Sequence, residues 1–245
     1  MIKLVAYPLT LIYFICFGLT LLVFHPIQWI CFNLIGYTAH KKSVDYLNFF
    51  LVRCLHLLGI RYSFINNYQI PTNRPVIIVT NHQSMNDIPP IIWFLRKHHP
   101  KFISKKELGK GIPSVSYNLR HGGSVLIDRK QAISSIKAIE EFAKRVKDHN
   151  WAAVIFPEGT RSRDGRPKPF KTKGLMTLIE HIPNAVIVPM TINNSWKTLR
   201  YGKFPMGIGA HIKFYVHEPM EVNEHDPQKL INTIEKQISE AIKND

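Results

Sequence analysis

Between Lys3 and Lys41 the chain carries no Asp, Glu, Lys or Arg. A helix on a soluble surface needs a charged face, so this stretch is not one. Its mostly aliphatic and aromatic side chains suit a membrane. Residues 4–24 have about the length, roughly 20 apolar residues, that crosses a bilayer core. His25-Pro26 then interrupts the pattern, and residues 27–36 are too short to return. A single tilted span and a shallow two-helix hairpin dipping into one leaflet are both open. A cleavable leader is disfavoured: the run exceeds the usual apolar core of about 7 to 15 residues, and no A-x-A site closes it.

Cysteine is scarce as well. Cys16, Cys31 and Cys54 are odd in number, irregular in spacing and confined to the apolar front, which excludes a disulfide framework and a zinc pattern. His82 and the His98-His99 pair offer no metal-ligand spacing, so neither a metal nor a cofactor is expected. Acidic residues are few, 17 against 32 Lys+Arg, giving a formal charge of +15. Such a surplus points to a polyanionic partner. The absence of any recognisable RNA or DNA module, beside an apolar front that nucleic-acid binding leaves unexplained, turns that choice toward anionic lipid or a phosphorylated substrate. There is no G-x-S-x-G, hence no serine nucleophile elbow, and no internal repeat.

What the chain does contain beyond residue 70 is a series of β-rich runs, "PVIIVT", "KFISK", "SVLID", "AAVIFP", "AVIVPMTI" and "AHIKFYV", separated by helical or turn-rich stretches. This predicts an α/β domain with a mixed, largely parallel sheet and flanking helices. The amphipathic "QAISSIKAIEEFAKRVK" between "SVLID" and "AAVIFP" predicts a crossover joining a parallel strand pair. "VDYLNFFLVRCLHLLGI" reads as a helix lying in the membrane interface or packed on the domain. The closing segment predicts a helix capped by Asp226 with Pro227 at its first position. At 245 residues the expected division is a membrane-associated helical segment over 1–62 and one α/β domain over 63–245.

The stretch "NHQSMNDIPP" puts His82 at the carboxyl end of a buried strand, where open α/β sheets present ligand sites. Residues five apart differ by about 140° on a continuous helix, so His82 and Asp87 meet only if a turn intervenes. Ser84, Asn86 and Asp87 are good helix caps and Pro89-Pro90 fits a first turn, so the chain is expected to turn through "QSMN" and enter a helix near Asp87. Asp87 then either caps that helix or folds back on the imidazole, fixing its tautomer and leaving the other nitrogen to take a proton. Farther on, "FPEGTRSRDG" leaves another strand end with Glu158, Gly159, Thr160 and Arg161. Gly159 lets backbone approach a ligand, and Arg161 suits a phosphate. Glu158 is expected to orient Arg161 or to accept a substrate hydroxyl, unless it is a surface turn carboxylate. "SVLIDRK" and "FISKKEL" end strands on Asp128-Arg129 and Lys105-Lys106, so basic strand ends would converge beside His82.

In their order, "NHQSMNDIP", "GGSVLIDR", "FPEGTRSRDG" and "VIVPMTI" resemble the four sequence blocks of the glycerolipid acyltransferases, especially those that acylate 1-acylglycerol 3-phosphate. The match covers roughly residues 75 to 195. The resemblance implies His82 and Asp87 as the catalytic pair, Glu158, Gly159 and Thr160 in the acceptor-binding block, and Arg129, Arg161 and Lys105 around the acceptor phosphate. It implies an O-acyltransferase taking acyl-CoA or acyl-carrier protein as donor and lysophosphatidate as acceptor. The enzyme would be held on an anionic membrane surface with the catalytic domain on the cytoplasmic side. Acylation of another lysolipid, or a silent protein binding anionic lipid, are the alternatives.

Overall fold

Eight strands form one sheet in a computed structural model that describes residues 2–243. They are β1 (Arg61–Ile65), β2 (Val76–Thr80), β3 (Pro100–Lys105), β4 (Val125–Ile127), β5 (Ala152–Ile155), β6 (Val186–Asn193), β7 (His211–Val216) and β8 (Met220–Glu221). The order is β1-β7-β6-β2-β5-β3-β4, with β8 paired to β6. The five strands from β6 to β4 run parallel, so their carboxyl ends lie on one edge of the sheet. β7 and β8 are antiparallel to β6, and β1 pairs parallel with β7.

The central strands are apolar on both sides because both faces are covered. Val76, Ile78, Val154 and Val188 face one core with α2 (Tyr37–His56) and α3 (Ile88–Phe94). Ile77, Val79, Ala153 and Ile187 face the other, with α5 (Ala132–His149), α6 (Thr172–His181) and α7 (Pro227–Glu240). The cap expected for α7 is present: Asp226 Oδ1 accepts from Lys229 N at 2.9 Å, and Pro227 opens the helix.

Three expectations need correction. The strands flanking α5, β4 and β5, are parallel but not adjacent, since β3 lies between them; a crossover fixes direction and hand, not adjacency. β1 lies ahead of the first strand expected. The break expected at His25-Pro26 does not occur: α1 (Ile2–Ile30) runs through Pro8 and Pro26 and a wider π turn, Cys31–Ile35, before ending at Gly36 with φ 118°. Tertiary contacts support the backbone there, as prolines in apolar helices require. Ser114, just ahead of α4 (Val115–His121), donates its hydroxyl to Leu21 O at 2.6 Å and its N–H to His25 Nδ1 at 3.0 Å.

α1 is docked at both ends. Near its start, Thr10 Oγ1 accepts from Met206 N at 2.9 Å, Tyr7 meets Phe204 edge-on, and Lys3 lies over Tyr201. Near its end, beside the Ser114 contacts, Asn33 Nδ2 donates to Tyr117 Oη. Tyr13, fully buried, joins the sheet core. The other side of the helix is bare, with Leu4, Leu11, Leu19, Leu22 and Leu34 all more than half exposed.

Candidate active site

β2 ends at Thr80 and hands the chain directly to the candidate pair. Asn81 continues the ladder with its side chain, donating to Ile192 O at 2.9 Å and accepting from Ile192 N at 2.7 Å on β6. The chain then turns, as expected, through a single 3₁₀ turn (Met85–Asp87) into α3. Ser84 caps this turn, its hydroxyl accepting from Asn86 N, while Asp87 reaches back to Ser84 N in a capping box. The same carboxylate oxygen, Asp87 Oδ2, accepts from His82 Nδ1 at 2.8 Å, Gln83 N at 2.8 Å and Ser84 N at 2.9 Å. The imidazole reading of Asp87 is realised, while the cap reading is corrected: Asp87 stands at the start of α3 without a side-chain bond to that helix and instead closes the preceding 3₁₀ turn at Ser84 N. Asp87 is fully buried, and the His82 side chain is 14% exposed. A carboxylate on Nδ1 places the proton there and leaves the Nε2 lone pair outward.

The imidazole lies flat on Phe156, ring centroids 4.1 Å apart. Its Nε2 faces Arg161, whose Nε–H approaches to 3.4 Å. From the other side the loop is held by a short 3₁₀ helix, Ser195–Leu199, that follows β6. Gln83 Oε1 accepts from Ser195 N at 2.9 Å, and Thr198 Oγ1 bonds both Ser84 Oγ and Asn86 Nδ2. Gln83, Asn86 and Thr198 carry no sequence signal as a group, because Thr198 lies 112 residues beyond Asn86.

Glu158 departs from expectation. It faces neither Arg161 nor solvent: it is 1% exposed, and its carboxylate accepts from His82 N at 2.7 Å and from Lys168 N at 3.0 Å. It ties the loop after β5 to the histidine's own backbone, and Ser162 N adds a bond to His82 O at 2.8 Å. Burial pushes its carboxyl up to about 6, against the lowering effect of the two backbone donors. Gly159, at φ 68°, takes the left-handed turn that follows, and its carbonyl accepts from Arg129 Nη1. Arg129 is thus brought from the end of β4 to the Arg161 loop. Burial lowers its pKa, Glu107 raises it and Arg161 lowers it again. Thr160 and Arg161 are exposed on that loop. Lys105, exposed at the end of β3, pairs in register with Ile127, two residues before Arg129. Among the described residues no hydrogen bond joins Lys105 or Thr160 to the histidine pair. Arg161 meets the outward imidazole nitrogen, Arg129 reaches the same loop, and Lys105 ends a strand on the same edge of the sheet, an arrangement that can remove a proton beside a bound anion.

A mixed α/β sheet with this edge is the architecture of an acyltransferase. The family model for acyltransferases matches residues 61–193, and the chain belongs to that family. It is 32% identical over 135 residues to a 1-acyl-sn-glycerol-3-phosphate acyltransferase of Limnanthes douglasii, covering 54% of this chain and 46% of that protein. It is 41% identical over 128 residues to one of Helicobacter pylori, covering 49% of each. The chain spans about half the length of the curated relatives it matches. In fold it is similar to the crystal structure of the 1-acyl-sn-glycerophosphate acyltransferase PlsC of Thermotoga maritima, with a TM-score of 0.81, 24% identity, and 98% and 95% of the two chains covered.

Proposed function

We propose that the chain transfers a fatty acyl group from an acyl thioester, acyl-CoA or acyl-carrier protein, to the sn-2 hydroxyl of lysophosphatidate, forming phosphatidate. The observation that carries this reading is the Nε2 of His82, turned outward by the buried Asp87 and met by the guanidinium of Arg161. Nε2 takes the hydroxyl proton as the oxygen attacks the thioester carbonyl, and Asp87 stabilises the imidazolium. The tetrahedral intermediate collapses with loss of thiolate, which recovers the proton from Nε2. The donor is already activated, so no protein nucleophile is required. Arg161 leaves Nε2 to grip the acceptor phosphate together with Arg129 and Lys105, and Gly159 and Thr160 line the approach. Glu158 serves by fixing the backbone of His82. The relatives in Limnanthes douglasii and Helicobacter pylori bear the name of this activity, which supports the choice of acceptor.

The membrane-associated part is residues 1–60 and the acyltransferase domain 61–245, two residues ahead of the expected boundary because β1 opens at Arg61. α1 and its π turn are long and apolar enough to cross a membrane. Attachment to the domain at both ends favours a helix lying in the interface with its bare leucines in one leaflet; the surplus of 32 Lys+Arg over 17 Asp+Glu suits the anionic cytoplasmic surface, which is the side assigned to the domain. Purified protein in detergent, offered lysophosphatidate, glycerol 3-phosphate and other lysolipids with both donor types, is the test. Transfer to lysophosphatidate is expected; preferential transfer to another lysolipid would reassign the acceptor, and none to any would leave anionic-lipid binding as the function.

A further inference from the structure

Far from the candidate pair, where β3 begins, a small cleft lies between the first turns of α2, the start of β3 and the end of α4. Its volume is about 20 Å³, enough for one or two small guests. Lys101 enters it at 6% exposure, its ammonium over the rings of Tyr37 at 5.1 Å and Trp151 at 4.8 Å. No carboxylate is bonded to that ammonium among the described residues. Asp45 is already taken, 2.5 Å from Lys41 Nζ, and Lys41 gives a further bond to Arg96 O. His40 lines the same cleft, fully buried, with neither ring nitrogen hydrogen-bonded, and the Nδ1 of His99 is unpartnered as well. Counting Lys41, Arg96 and Lys101 against Asp45, the surroundings carry an excess of positive charge.

Buried polar groups find partners, and an unpaired buried charge is costly. We propose that this cleft is a binding site for a small inorganic anion of chloride size, held by the Lys101 ammonium and an N–H of His40. Ser124, whose oxygen already accepts from Phe102 N at 3.1 Å, has its hydroxyl proton left to donate. The bound anion supplies the counter-charge that Asp45, bonded to Lys41, provides only from a distance. Because His40 and Lys41 stand on α2 and Lys101 on β3, it also fastens α2 to the sheet. Without it, burial drives Lys101 toward its neutral form.

The test is thermal unfolding of the full chain in detergent, in sodium chloride against sodium gluconate at matched ionic strength. A saturable rise of a few degrees with chloride is expected. The rise should vanish in Lys101→Met and in His40→Phe, which fills the cleft; the difference between anions is the readout, so a variant of lowered stability still reports. Bromide-soaked crystals should show anomalous density beside Lys101. Equal melting in the two salts, an increment that survives in both variants, or water in place of bromide would each overturn the proposal.

Discussion

Asp87 Oδ2 serves two purposes at once: it closes the 3₁₀ turn and orients the imidazole proposed as the base. An amide oxygen can accept from Gln83 N and Ser84 N as the carboxylate does, so Asp87→Asn separates the two. Stability is expected to stay within about 1 kcal/mol of the parent, while kcat for acyl transfer falls by about 10² to 10⁴ because the imidazolium loses its counter-charge. Unchanged kcat in the folded variant would count against the mechanism. His82→Ala should lose activity on a similar scale, about 10² to 10⁴, with near-UV circular dichroism retained. Glu158 offers a pH signature. Its carboxyl is raised from 4.5 to about 6 in the folded protein, so the folded state binds more protons than the unfolded state in that window. The stability this group contributes is therefore greatest below 4.5 and is lost as pH rises through about 6. A carboxyl-carbon NMR titration with a midpoint near 6, absent in Glu158→Gln, is the check. That His82 and Asp87 belong together was legible through the resemblance of the four blocks, whereas their spacing alone left open whether Asp87 caps the helix or meets the imidazole. That Glu158 grips the backbone of His82 was not, since the partners are 76 residues apart and an acidic residue in a loop says nothing of where its carboxylate points.

The turn that carries the pair is held by elements from a distance. Thr198, fully buried, bonds Ser84 and Asn86 through one hydroxyl. Thr198→Val keeps the shape and removes those bonds, and is expected to cost about 1 to 3 kcal/mol, the penalty of buried polar groups left unmet. In urea unfolding the midpoint should fall at unchanged slope; a midpoint equal to the parent's would mean that Ser84 and Asn86 find other partners. The strands were legible where both faces are covered, because such strands read as unbroken apolar runs. β1 was missed for the converse reason. Its sequence, Arg-Tyr-Ser-Phe-Ile, is half-exposed at the sheet edge, where packing against β7 decides the conformation rather than pattern. Helix continuity through Pro26 was likewise illegible, because the support comes from Ser114, 93 residues beyond Leu21.

At the scale of the molecule, the two segments that hold α1 are those that leave the carboxyl ends of β6 and β3. The apolar helix is thereby placed beside the edge that carries His82. From Ile2 to Ile35 it comprises 34 residues, about 51 Å of helix, against a hydrocarbon core of about 30 Å. Spin labels at Leu4, Leu19 and Leu34 should report one common depth in a bilayer; a depth that changes steadily from Leu4 to Leu34 would mean that the helix spans. Removing the helix would also take away the buried Tyr13 and uncover the core it packs against. Tyr13→Ala is expected to lower stability by about 3 to 5 kcal/mol, as loss of a buried aromatic does, measured by loss of the detergent-solubilised folded fraction. A helix clamped beside the reactive edge has a kinetic corollary. An acceptor drawn from the surrounding leaflet is presented at its two-dimensional density, so at fixed enzyme the rate should follow the mole fraction of the proposed acceptor, lysophosphatidate, in the surface and fall when added inert lipid dilutes it, even though the amount per volume of solution is unchanged.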